Sequence, residues 1–298
     1  MPARLIVNAD DFGLTAGINR AVAELQLAGV LSSATLMANG AAFEDAIQVA
    51  RANPGLGVGC HVVLTDGVPV SDPAAIPTLI EPGTALLRPK LGDFLRALLS
   101  GRIREEDIAT EALAQVQKIQ RAGIALTHLD THKHTHLFPA VLRPLLRVAE
   151  QTAIPAIRSP FEPTWAAGLP HGPRLRRTIV GLTALLRPKF KRLLRSTSLA
   201  TTDGTLAISA TGDLTATTLS DILRALPATG TYELCCHPGY NDRDLEGVST
   251  RLRAQREIEH GALLTEGAKF LNQPNGPELI HYGDFSPRSP AYTAKAFA

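Results

Sequence analysis

The sequence predicts an α/β fold: a single (β/α) barrel of irregular, TIM-like form with fewer than the usual number of strands. Three observations point there. Short apolar runs alternate with helical-period segments along most of the 298 residues, the rhythm of a parallel sheet with helices outside it. No Gly-x-Gly-x-x-Gly follows the first apolar run, which disfavours a dinucleotide-binding sheet. The length suits one barrel without requiring two domains. Residues 1–284 therefore read as the barrel, and 285–298, which lack periodicity, as a C-terminal arm.

The elements follow in order. The apolar run at 5–7 is a first strand. Residues 18–28 carry apolar side chains at helical spacing, and Gly29 ends that helix. A second strand is expected at 33–37. A second helix at 42–52 is stopped by Asn53-Pro54-Gly55. A third strand covers 57–64. After a proline-rich loop at 67–82 come a strongly periodic helix at 108–122, a strand at 124–131 and a helix at 140–152. Residues 156–158 form a short strand, 232–236 a late strand, and 250–270 one long late helix. Residues 163–202 differ from the rest, with eight Lys or Arg and no acid. Leu175, Ile179, Leu182, Leu185 and Leu186 share one helical face there, and Pro188 breaks the run. This segment reads as a basic helical insertion packed on the barrel. An ordinary solvated helix face is the favoured reading of its charges, with contact to a membrane surface as the alternative.

Composition narrows the function. Thirty Lys plus Arg balance 28 Asp plus Glu, so nothing argues for nucleic acid as a partner. The three cysteines, Cys60, Cys235 and Cys236, form no Cys-x-x-Cys pair and suit buried thiols in a reducing cytoplasm, the expected location. No run of about 18 uncharged apolar residues appears, so no membrane span is expected.

Chemistry gathers where strands end, as it does in parallel barrels. Asp10 and Asp11 stand together after the first strand. One Asp would suffice for a helix cap, and two adjacent carboxylates repel unless something positive sits between them. His61 ends the third strand; alone it would more often be a hydrogen-bonded core histidine. Residues 128–136, HLDTHKHTH, hold four of the nine histidines. Strand alternation points His128, Asp130, His132 and His134 one way while the strand lasts. One of these would complete a carboxylate plus two imidazoles, a set that leaves coordination positions open, as a catalytic metal needs. His237, just before Pro238-Gly239, faces the same mouth and suits an acid or an imidazolium.

Four motifs in this order, NADDFG at 8–13, GVGCHVVLTDG at 57–67, THLDTHKHTHLFP at 127–139 and CHPG at 236–239, resemble the YdjC-like carbohydrate deacetylases. That family includes chitooligosaccharide deacetylases and a hopanoid-biosynthesis-associated branch. SATLMANGAAFEDA at 33–46 is similar too, and Lys133 resembles the hopanoid branch. The likeness runs from about residue 4 to about 283 and is weak over 163–230. It implies a (β/α) barrel and hydrolytic removal of the acetyl group from an N-acetylated amino sugar, a chito-oligosaccharide or a lipid-linked glucosaminide. It also implies one divalent metal, Mg2+ by the resemblance, with Zn2+ suggested by the ligand types. By motif, Asp11, His61 and His132 would hold the metal. Asp10 would be the general base, and His237 an acid or electrostatic helper. Arg158, His134 and His136 would lie at the substrate. A homodimer is the expected assembly. Two other readings compete. A metal-dependent sugar isomerase would want more carboxylates than Asp10, Asp11 and Asp130. A non-catalytic carbohydrate-binding protein would rely on exposed aromatics, yet aromatics are 5% with one Trp, Trp165.

Overall fold

The computed structural model describes residues 3–285. Seven parallel strands form its sheet: β1 (Arg4–Phe12), β2 (Ser33–Leu36), β3 (Gly57–Val62), β4 (His128–Thr131), β5 (Gly204–Leu206), β6 (Thr231–Cys236) and β7 (Glu278–Leu279). Their order is β4-β3-β2-β1-β6-β5, with the short β7 also paired to β1. The sheet curls, and hydrogen bonding continues from β4 toward β5 through single bridges, Leu129 to Ile157 and Ala156 to Ala200. The strand expected at 156–158 is thus reduced to bridges.

Helices α1 (Ala16–Leu27), α2 (Phe43–Ala52), α3 (Leu91–Leu99), α4 (Glu105–Arg121) and α5 (Pro139–Gln151) cover the convex side of the first strands. Thr15 caps α1 by accepting from the Ile18 amide. Three acids open α4 and Lys118 and Arg121 close it, matching its dipole. The basic segment forms α6 (Thr164–Ala167), α7 (Arg174–Thr183) and α8 (Arg187–Leu194). Then come α9 (Ala216–Arg224), α10 (Arg243–Glu246), α11 (Ala254–Ala262) and α12 (Ala268–Leu271). The long helix expected at 250–270 starts later and is interrupted by a π-turn, Leu263–Gly267. The strand expected from 124 begins only at His128. The arm expected at 285–298 lies outside the described residues beyond Phe285. Among the described residues, no helix is long and apolar enough to cross a membrane, and all three cysteines are free and buried.

Alternation divides each strand between two environments. Val7 and Ala9 of β1, Cys60 and Val62 of β3, and Leu129 of β4 join the core with Val22, Leu25, Ile47, Val116 and Leu145 from the helices. The opposite face looks into the curl. Its floor is apolar, with Ile6 against Ala156, Ala200, Ile280 and Tyr282. Residues 278–284 therefore fold back under the barrel and plug its N-terminal end.

Just above the floor His128 stacks on Tyr282, ring centroids 3.9 Å apart. Gly59 lies against it: a Cβ there would come within 2.4 Å of the imidazole. Burial, then the charge of Arg158, hold the His128 pKa well below its ordinary 6.5. Burial does the same to His136. The folded state keeps both rings neutral, while the unfolded chain binds protons below about pH 6.5. Their contribution is therefore complete above that pH and lost as pH falls below it. Each such ring costs about 1.4 kcal/mol per pH unit there. Urea midpoints are expected to decline from pH 7 to pH 5.5, and more gently in His128→Gln. An unchanged slope in that variant would refute the assignment.

Candidate active site

The C-terminal end of β1 departs from a regular strand. Its register with β2 slips between Ala9 and Phe12, and Asp11 has φ 65°. Asp is among the few side chains that tolerate this left-handed conformation. The bulge brings both adjacent carboxylates to the mouth, where a straight strand would send one outward. Gly13, at φ 89°, completes the turn; a Cβ there would lie 2.7 Å from Leu36.

Register supplies the next pair. His61 of β3 lies beside Asp130 of β4, and His61 Nδ1 is 2.8 Å from Asp130 Oδ1. That contact leaves His61 Nε2 directed at Asp11 Oδ1, 3.7 Å away. Beyond Thr131 the expected alternation stops. Lys133 and His134 take left-handed φ of 60° and 52°, the kind of strain that concentrates at functional sites. The kink brings His132 Nδ1 to 3.3 Å from Asp11 Oδ1 and 3.3 Å from His61 Nε2. His134 turns instead toward Asp10 and Cys235, its ring nitrogen within 4.8 Å of both ligand atoms.

The Asp11, His61 and His132 ligand atoms also lie within 4.8 Å of one another. Their separations of 3.3–3.7 Å match the ~3.3 Å expected between ligands about 2.0–2.1 Å from one tetrahedral ion. The charge balance fits as well. Asp10, Asp11, Asp130, Glu233 and Glu259 are all buried here, against the guanidiniums of Arg158 and Arg256. The residues present can therefore hold a cation. Burial alone would lower the His61 pKa, but Asp130, Asp10 and Asp11 outweigh it and raise it to about 9. A cation must displace that proton, so metal affinity rises with pH. A His61→Ala, His132→Ala double variant is expected to lose its divalent ion; retained metal by elemental analysis would remove this ligand set.

Asp10 has different partners. Arg158 grips it with two nitrogens, Nη2 to Oδ1 at 2.6 Å and Nη1 to Oδ2 at 2.9 Å. Asn8 and Thr35 also donate to Oδ1, at 3.0 and 3.2 Å. Burial pushes the Asp10 carboxyl up, but Arg158, His61 and His237 together hold it well below the usual carboxylate range. His237, just after β6, places Nε2 3.8 Å from Asp10 Oδ2. Its backbone amide donates to Glu259 at 2.6 Å.

Two residues expected at the substrate lie elsewhere. Arg158 has no exposed surface and is consumed by ion pairs with Asp10, Asp130 and Glu233. It supports the site from beneath. His136 is also fully buried, held by Thr131 Oγ1 at 2.8 Å and the Arg158 carbonyl at 3.3 Å. His134 is only partly buried and remains at the mouth.

Two other participants, Arg256 and Glu233, escape a sequence reading as site residues. Arg256 on α11 donates to Asp11 Oδ2 at 2.6 Å, leaving Oδ1 to the imidazoles. Glu233 bonds Arg158 and accepts from the Tyr282 hydroxyl at 2.5 Å. Asp130 orients His61. A lone acid inside the apolar run TYELCC was a usable signal for Glu233; the polar helix AQREIEHGA offered none for Arg256.

A family model described as YdjC-like protein matches residues 4–272. The chain belongs to the YdjC-like family. Among its YdjC-like relatives, a carbohydrate deacetylase of Geobacillus stearothermophilus is 31% identical over 286 residues, 96% of this chain and 99% of the relative. A carbohydrate deacetylase of Brevibacillus brevis is 41% identical over 158 residues, 53% of this chain and 60% of its own length. A chitooligosaccharide deacetylase of Salmonella typhimurium is 40% identical over 152 residues, 50% of this chain and 57% of the relative. The matches to these last two thus span less than two thirds of each relative. The solved structure of an Enterococcus faecalis protein named for cellobiose-phosphate cleavage superposes on this YdjC-like chain with a TM-score of 0.76. It covers 95% of this chain and 98% of that one at 21% identity, a likeness of fold.

Proposed function

We propose that this chain is a metal-dependent carbohydrate deacetylase that hydrolyses the acetamide of an N-acetylated amino sugar and releases acetate. Chito-oligosaccharides and lipid-linked glucosaminides are the substrate classes in view. The observation that carries the reading is the division between the two adjacent aspartates. Asp11 shares an oxygen with His61 and His132, while Asp10 is held off that set by Arg158. We read residues 1–284 as one barrel unit, with 163–202 as an insertion after the strand-like residues 156–158.

Asp11, His61 and His132 would hold a divalent cation, which would supply Lewis-acid polarisation of the acetyl carbonyl and a lowered pKa for bound water. Two imidazole nitrogens and one carboxylate favour zinc over the magnesium suggested by resemblance. Asp130 fixes the His61 tautomer by accepting from Nδ1, which leaves Nε2 to the cation. Arg256 neutralises the far oxygen of Asp11. Asp10 stays ionised and takes the proton from attacking water. His237, across from Asp10, returns a proton to the departing amine.

The test is incubation of the metal-loaded protein with chito-oligosaccharides, assaying free acetate and new amine together. Equal release of both is expected. Sugar interconversion without acetate would favour an isomerase, and tight binding without turnover a carbohydrate-binding protein.

A further inference from the structure

Helix α7 is inside out. Its apolar residues Leu175, Ile179 and Leu182, with Leu185 one turn on, are 74%, 52%, 61% and 78% exposed. They account for four of the ten large hydrophobics that are exposed among the described residues. Spacings of four, three and three put them on one stripe. A stripe of this kind normally faces a core, and large exposed apolar patches mark interaction sites.

The surrounding charge says what covers it. All eight charged residues of 163–202 are Lys or Arg. Among the described residues, none of them forms a salt bridge, and Arg174, Lys189, Lys191, Arg192 and Arg195 are exposed. Two copies of this face would bring like charges together. A sugar chain would want aromatic rings, and the stripe is aliphatic. An anionic bilayer offers both halves of the complement, acyl chains for the leucines and headgroups for the cations.

The position of α7 gives the contact a direction. Residues 159–161 still run beside β5, where Thr205 donates to the Ser159 and Phe161 carbonyls, and the segment leaves the barrel after Pro163. The Arg176 guanidinium donates to the Thr211 carbonyl, and Gly172 donates to Asp213 at 3.2 Å, both in the loop that follows β5. Phe190 and Leu194 of α8 are buried and fix the segment from behind. The start of α7 is therefore held against the loop that leaves the carboxyl end of β5, the end of the sheet that carries Asp10, Asp11 and His237.

We propose that α7 and the basic residues of α8 seat this protein on an anionic lipid surface, with the barrel mouth at the membrane side. The inference stands apart from the proposed reaction, because binding needs neither metal nor turnover.

The experiment is co-sedimentation of the full chain with phosphatidylcholine vesicles, with and without phosphatidylglycerol. Binding is expected to the anionic vesicles alone and to weaken as salt rises. Ile179→Ser with Leu182→Ser should weaken it by about tenfold or more, as should Lys189→Gln with Lys191→Gln and Arg192→Gln. Leu99→Ser, at an equally exposed leucine elsewhere (73%), should not. Circular dichroism checks that each variant is folded, and acetate release from a soluble substrate is followed separately. Equal binding to both vesicle types would overturn the proposal. So would undiminished binding by the Ile179/Leu182 variant, or a dimer dispersed by those substitutions in a chain that ignores vesicles.

Discussion

Asp10→Asn is expected to cut acetate release by about 10²–10⁴-fold while the metal stays bound. The amide is nearly isosteric, and Asn8, Thr35 and Arg158 leave little room for a different placement. The ability to take a proton is lost, together with part of the Arg158 ion pair, since one amide position becomes a donor facing donors. Asp11→Asn separates the two roles, since it should weaken metal binding itself. His237→Ala should lower turnover and retain metal, because its ring nitrogens face Asp10 and Glu259 and are not among the clustered ligand atoms. Metal content and acetate release, measured on all three variants, decide the matter. Wild-type turnover by Asp10→Asn, or loss of metal from His237→Ala, would overturn this assignment.

Arg158→Leu is expected to destabilise the fold by about 3–5 kcal/mol, the usual cost of removing one partner from a buried ionic cluster. The guanidinium has no exposed surface, and it pairs with Asp10, Asp130 and Glu233 at once. Without it three buried carboxylates face one another. The pH dependence distinguishes this from a simple packing loss. In the wild type, Asp10 is depressed by the ion pair, so its contribution is present above about pH 4 and lost as pH falls further. In the variant the remaining carboxyls gain protons more readily folded than unfolded. The stability gap between variant and wild type should therefore narrow as pH falls from 7 to 5. A gap that stays constant in urea titrations would mean that packing, and not charge, is what Arg158 supplies. Arg158→Lys, which keeps the charge but not the two-pronged grip on Asp10, should recover more stability than turnover.

Local periodicity determined much of the frame. Helices α1, α2, α4 and α5 and strand β6 lie where apolar spacing predicts them, because those patterns report one buried face and need no knowledge of distant chain. Asp10, Asp11, His61, His132 and His237 were readable as strand-end groups for a related reason: a parallel barrel delivers every strand end to one mouth. Tertiary structure alone decided which partners each of them meets. The bulge after Ala9 turns two neighbouring aspartates to different partners, and the left-handed pair Lys133–His134 ends an alternation that would have placed His134 beside His132. The assignment of Arg158 to support the site from below needs Glu233, 75 residues away, and Asp10, 148 residues away. Arg256 finds Asp11 across 245 residues. Charges separated this far meet only once the sheet has curled. A buried arginine and a substrate-binding arginine look alike in sequence until their carboxylates are in place.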